Sequence, residues 1–202
     1  METELLAAGP PAALLERATQ GDAEAFAGLV QQHQRMVFSI GWHFFRDATL
    51  AEDLAQDVFL QFFQSLREIR SESHLVFWLR QVATRKCIDH ARRLQRQGKP
   101  PLDLEAAALI AAETEPADRW EVEELRRLVA GLPAKFRAVV TLRYQEDLPP
   151  SEVARLLGCP INSVKSRLQR ALALLRQRLK PQRGADCPPD RGGGAHAGRP
   201  TL

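Results

Sequence analysis

The stretch from Pro149 to Lys180 carries side chains suited to holding a polyanion. Lys165, Arg167, Arg170, Arg176, Arg178 and Lys180 fall within twenty residues that contain no acid, and Asn162, Ser163, Ser166 and Gln169 lie among them. Cations of this kind hold phosphate oxygens, while Asn, Ser, Gln and Arg exchange hydrogen bonds with base edges in a major groove. This is binding chemistry, with no bond made or broken. The five histidines, His33, His43, His74, His90 and His196, show no metal-ligand spacing. No Gly-x-x-x-x-Gly-Lys-Ser/Thr loop is present to cradle a nucleotide. Cys187 and His196 alone make a poor metal site. No catalytic residue, metal site or cofactor is therefore expected.

The elements that must present those cations follow from apolar spacing. Ser151 to Leu157 is a short amphipathic helix, and Gly158-Cys159-Pro160 is a tight turn. A longer helix then puts Val164, Leu168, Leu172, Leu175 and Leu179 on its buried face. Two helices across a short Gly-containing turn have the form of a helix-turn-helix, although a helical hairpin with a solvated basic face would show the same spacing. Upstream, Val122, Leu125, Val129 and Leu132 are at helical spacing. Gly131-Leu132-Pro133 separates that helix from one bearing Phe136, Val139 and Val140.

The first half is helical as well. Gly21-Asp22 opens a helix with the stripe Phe26, Leu29, Val30, His33 and Val37. Thr49-Leu50-Ala51-Glu52 has the pattern of a capping box. The helix it heads places Leu54, Val58, Phe62, Leu66 and Ile69 on one face and Asp53, Gln56, Asp57 and Leu60 on the other. Ser71-Glu72-Ser73-His74 is expected as a polar loop. A third helix, from about Leu75 to Gln95, turns Leu75, Leu79, Val82 and Ala83 inward. It carries Arg80, Arg85, Lys86, Arg92, Arg93 and Arg96 against the single acid Asp89.

These patterns predict an all-α chain of two small helical domains, 22–96 and 118–180, the second containing the helix-turn-helix. A flexible acidic linker, 97–117, would join them, with an N-terminal extension at 1–21 and a Pro- and Gly-rich disordered tail at 181–202. Net charge is only +3, but it is unevenly spread: residues 1–60 hold three arginines against nine acids. Separate acidic and basic faces imply a cationic partner on one side and an anionic partner on another. Cys87, Cys159 and Cys187 are odd in number and far apart, which argues for a reducing cytosol. No signal pattern opens the chain, and no apolar run approaches the roughly 18–20 residues of a membrane span, so a cytoplasmic location without membrane insertion is expected.

Leu132-Pro133, Arg137, Leu142-Arg143, Glu152-Val153-Ala154, Val164-Lys165-Ser166-Arg167-Leu168 and Arg170-Ala171 occur in that order. They resemble the promoter −35-binding domain of small sigma-70-family factors of the extracytoplasmic-function (ECF) type. Ala51-Glu52-Asp53-Leu54-Ala55-Gln56-Asp57-Val58-Phe59 is similar to the polymerase-docking segment of the same family. Trp78-Leu79, Asp89 and Arg92-Arg93 resemble its −10-facing helix. Family members often have Gly-Thr where this chain has Asn162-Ser163, Arg where it has Leu172, and Asn near the position of Arg85. Ser163 retains a helix-start hydroxyl.

The resemblance implies a sigma factor that binds core RNA polymerase and directs promoter-specific initiation, not an enzyme. Glu52, Asp53, Gln56 and Asp57 would dock on a coiled coil of the largest polymerase subunit. Ser73, His74, Phe77, Trp78, Arg80, Arg85, Lys86, Arg92 and Arg93 would meet the −10 element, where an unstacked base must be captured. The linker would run toward the RNA exit path. The second domain would touch the flap of the other large subunit, while Asn162, Ser163, Lys165, Ser166, Arg167, Gln169 and Arg170 meet the −35 duplex. An anti-sigma factor is a further partner the family admits. The rival reading is a stand-alone helix-turn-helix regulator, which would leave the acidic face and the Trp78 region without a task.

Overall fold

A computed structural model describes residues 11–97 and 117–179, and the described residues form helices and no strands. Helix α1 (Pro11–Thr19) leads into α2 (Ala23–Phe45), whose first turn is closed by Asp22. The Asp22 carboxylate accepts from the amides of Glu24 and Ala25 at 3.0 Å each and pairs with Arg17 at 2.6 Å. These bonds satisfy donors that a helix start leaves open and hold the Asp22 carboxyl below its usual pKa, the Ala25 amide contributing most. The segment expected as an extension thus adds a helix to the first core, with Leu14, Leu15 and Ala18 buried.

Helix α3 (Ala48–Gln64) begins two residues earlier than the Thr49 pattern implies. Its cap is Asp47, which accepts from the Leu50 amide at 3.0 Å, and Thr49 lies inside the helix. A carboxylate at the true boundary outcompetes the hydroxyl two positions on. The α2–α3 pair is close because Gly41 has no side chain: a Cβ there would meet Leu54 Cδ2 at 2.9 Å and Ala51 Cα at 3.1 Å. After a 3₁₀ turn at Leu66–Glu68, α4 (Glu72–Arg96) crosses both helices. The expected loop is largely its first turn, since the Ser71 hydroxyl caps the His74 amide at 3.2 Å. Leu29, Val37, Ile40, Phe44, Val58, Phe62, Leu75 and Leu79 fill this core. Each such side chain contributes about 1.5–3 kcal/mol by leaving water.

The second half contains α5 (Ala117–Ala130), α6 (Ala134–Val140), a π-helical continuation at Thr141–Gln145, α7 (Pro150–Leu157) and α8 (Ile161–Leu179). Leu132, Phe136, Val140, Ala171 and Leu175 pack one cluster, and Val139, Leu142, Leu148, Val153, Leu156 and Val164 another. Of the four apolar residues at helical spacing there, Leu132 is buried while Val122 and Leu125 are exposed. The two halves are packed together: Ala138 belongs to the first core, and α6 and α7 rest on α4. The expected linker (98–116 of it) and the tail lie outside the described residues. Among the described residues no helix is long and apolar enough to cross a membrane.

Candidate nucleic-acid interface

The geometry of the basic face starts at the turn before it. Pro150 begins α7, where its missing amide hydrogen costs nothing. The helix stops at Gly158, whose left-handed φ of 60° lets the Cys159 amide reach back to the Ala154 carbonyl at 3.0 Å. The chain then reverses, and the Pro160 carbonyl accepts from the Ser163 amide at 2.9 Å to start α8. Val153 and Leu156 of α7 pack on Val164 of α8, which fixes the angle between the two helices.

With Val164, Ala171 and Leu175 buried, the rest of α8 faces outward. Asn162, Lys165, Ser166, Gln169 and Arg170 are exposed, and Ser163 and Arg167 are half-buried. The Arg167 guanidinium leans on the turn, donating to Cys159 Sγ at 3.7 Å, and the Ser166 hydroxyl donates to the Ser163 carbonyl at 3.1 Å. All seven residues expected at a −35 duplex therefore lie on the first half of one helix, with five open to solvent.

Glu52, Asp53, Gln56 and Asp57 are all exposed on α3. The structure extends this face with apolar surface that the sequence reading did not single out as binding: Leu60 is 59% and Phe63 61% exposed. Phe63 meets the Phe26 ring edge-on at 5.3 Å. Beside it, a cleft of about 500 Å³ between α2 and α3 is lined by Arg35, Phe38, Glu52, Gln56 and Phe59 among others. The signal was present, because Phe63 is one turn beyond Leu60 and two beyond Gln56 and cannot share the buried side with Phe62.

The nine residues expected at the −10 element divide into groups. Arg85, Arg92 and Arg93 are exposed along the second half of α4, with Arg92 3.5 Å from Asp89. Lys86 donates to Asp57. Trp78 is half-buried, its ring 6.1 Å from that of Phe62. Ser73, His74, Phe77 and Arg80 line one cavity of about 730 Å³, closed from the other side by Glu152 and Arg155 of α7. The His74 Nδ1 accepts from the Arg70 amide at 3.3 Å. Phe77 lies under the Arg155 guanidinium at 5.1 Å, and Arg80 Nε is 3.7 Å from Glu146 Oε2. Phe77 and Arg80 are thus half-buried against groups of the second domain.

Three residues at this junction were not singled out as site residues from the sequence. Glu146, with a side chain 7% exposed, is pushed above the usual carboxylate pKa by burial, partly offset by Arg80 and by the Ser39 hydroxyl that donates to it at 3.4 Å. Arg137 is 2% exposed and donates to the Phe44 carbonyl at 2.9 Å and to the Leu132 carbonyl at 3.0 Å. Burial pushes its pKa down to about 10. Arg155 is the third. Among the described residues no cluster of three or more His, Cys, Asp or Glu side chains is placed to hold a metal ion.

Comparison with known proteins places both halves. The profile described as Sigma-70 region 2 matches residues 29–97, and Sigma-70, region 4 matches residues 122–175. The RNA polymerase sigma-H factor of Pseudomonas aeruginosa is 29% identical over 83% of this chain and 93% of its own length. The ECF RNA polymerase sigma-E factor of Escherichia coli is 28% identical over 83% and 93%. Among solved structures, CnrH in complex with the cytosolic domain of CnrY matches with a TM-score of 0.60 at 23% identity, over 84% of this chain and 96% of that one. The sigma factor RpoE in complex with the anti-sigma factor NepR, from Bartonella quintana, matches at 0.59 with 20% identity, over 78% and 98%.

Proposed function

The chain belongs to the sigma-70 family of RNA polymerase sigma factors, of the ECF type, and directs promoter-specific transcription; on that premise we propose how its surfaces divide the work. Helix α8 reads the −35 duplex. Lys165 and Arg170 neutralise phosphates and set register, while Arg167, Gln169, Asn162, Ser163 and Ser166 meet base edges. The observation that carries this reading is a helix face with exposed cations and no acid, rigidly held by Val164, Ala171 and Leu175.

Helix α4 takes the −10 element. Phe77 and Trp78 offer stacking surface to an unpaired base near the helix start, with Ser73 and His74 beside them. Arg80, Arg85, Lys86, Arg92 and Arg93 follow the backbone along the helix. Helix α3 docks on core polymerase through Glu52, Asp53, Gln56 and Asp57, and Leu60 and Phe63 add desolvated contact beside the charges. Acidic groups beside an exposed apolar patch suit a basic coiled coil of the largest subunit. The second domain, 118–180, meets the flap of the other large subunit. An anti-sigma factor is a further partner, a reading supported by the solved RpoE–NepR pair.

Promoter selection by reconstituted holoenzyme, from a library randomised at both elements, tests this division. Arg167→Ala should change −35 preference and leave −10 preference alone. Unchanged selection at both elements would remove α8 from the reader's role.

A further inference from the structure

A large apolar side chain stands at the edge of the face that α8 offers to a duplex. Ile161 opens the helix and is 40% exposed. Around it Asn162, Lys165, Ser166, Gln169 and Arg170 are polar or cationic and open to solvent. By spacing, Ile161 belongs with Val164 and Leu168 on the inward stripe. Those two join the cluster built on Val153 and Leu156, with Val164 fully buried. Ile161 stays in water instead, with Lys165 one turn on as its neighbour on the helix surface.

The position of this side chain is fixed. The Pro160 carbonyl accepts from the Ser163 and Val164 amides at 2.9 and 3.3 Å, which closes the first turn of the helix. A β-branched isoleucine in a helix keeps essentially one χ1 rotamer. Ile161 therefore presents a rigid apolar surface, and the first residues of the second helix are those that reach base edges in a helix-turn-helix.

Isoleucine has no hydrogen-bonding group, so it cannot distinguish bases by their donors and acceptors. The major-groove edges of the four bases hold one apolar group among them, the C5-methyl of thymine. We propose that Ile161 is a specificity-determining residue of the −35 contact and selects thymine through its C5-methyl group. This rests on the −35 reading of α8 given above, and adds a contact that neither the cations nor the hydrogen-bonding side chains supply. Methyl against isoleucine takes apolar surface of both partners out of water. Cytosine or a purine at that position would set Ile161 against polar atoms that lose their water and gain no bond. A 5-methylcytosine carries the same methyl group as thymine and would satisfy the same contact.

The test uses holoenzyme reconstituted from core polymerase and the full-length chain, with a duplex carrying the −35 element that this holoenzyme selects. Each thymine of that element, on either strand, is replaced in turn by deoxyuridine, which removes the methyl group and keeps every hydrogen-bonding group. Competition binding is read for the parent, Ile161→Ser and Ile161→Val, with helical content checked by circular dichroism. At one position uracil should weaken the parent about fourfold, the effect of one methyl group leaving water. Ile161→Ser should bind the two duplexes alike, while Ile161→Val should keep most of the discrimination. At the same position 5-methylcytosine should bind the parent more tightly than cytosine does, and Ile161→Ser equally with it. Parental indifference to uracil at every position, a penalty that persists unchanged in Ile161→Ser, or a selected element without an A·T pair would overturn the contact. The −35 reading has its own control in Lys165→Ala with Arg167→Ala on the unmodified duplex. Loss of binding there alongside uracil indifference overturns the methyl contact alone; parental binding there removes α8 from the duplex and Ile161 with it.

Discussion

Lys86 Nζ donates to Asp57 Oδ2 at 3.2 Å, tying the basic helix α4 to the acidic face of α3. The pair is solvent-exposed, Asp57 by 66%, so it contributes about 0.2–1 kcal/mol at most. Asp57 thus remains available for a stronger partner. Reversal of both acids, Asp53→Lys with Asp57→Lys, should abolish core-polymerase binding while leaving helical content unchanged. A pull-down at moderate salt with circular dichroism reads both. Parental binding would show that α3 is not the docking face.

On α8 the two cations should behave differently. Arg167→Ala should cost about 1–3 kcal/mol on a −35-dependent promoter and relax base preference, if its guanidinium leaves Cys159 for a bidentate base contact. Lys165→Ala should weaken all duplexes alike and reduce the salt slope by about one. Duplex titrations over a series of salt concentrations separate the two. Identical salt slopes and preferences for parent and variants would contradict the assignment.

These faces were legible because each depends on periodicity within one helix. Asp53, Gln56 and Asp57 fall opposite Leu54, Val58 and Phe62 by spacing alone, and the structure keeps them so. Helix starts were less legible: Ser71-Glu72-Ser73-His74 is as polar as a loop, yet a serine followed by an acid is also what a helix N-terminus selects. The domain contact was barely legible. Ser39 and Glu146 are 107 positions apart, and no local pattern pairs them. Arg137 gave a hint, as a charge amid Phe136, Ala138, Val139 and Val140, which are all buried with it.

Gly41 should tolerate no side chain. Gly41→Ala would press a methyl against Leu54 Cδ2 at 2.9 Å, closer than a Cβ keeps, and against the Ala51 backbone at a tight 3.1 Å. Overpacking of this kind costs about 1–3 kcal/mol, more than the gain in helix propensity of about 1 kcal/mol. Chemical denaturation should show a lower midpoint with little change in slope. A more stable variant would mean that α2 and α3 can separate freely.

Mild acid should weaken the fold. Burial holds His33, His43 and His90 below the ordinary imidazole pKa, with Arg46 and Arg126 adding at His43 and Arg93 at His90, while Glu72 opposes at His33. The folded state therefore binds these protons less readily than the unfolded state. Stability is full above about 6.5 and declines as pH falls through the depressed values. His33, whose Nε2 is buried without a partner, is the one to replace. Thermal melts between neutral and mildly acid pH should show a shallower decline for His33→Gln than for the parent; equal declines would acquit His33.

The central claim is that one chain joins polymerase and selects promoters through two separate helices. Run-off transcription with purified core polymerase on a genomic fragment library, read for 5′ ends, tests it most directly. The account predicts 5′ ends that appear only with this chain and share two upstream sequence elements at fixed spacing. Lys165→Ala with Arg167→Ala should erase the upstream element, and Phe77→Ala the downstream one. No chain-dependent 5′ ends, or ends sharing a single element, would contradict it.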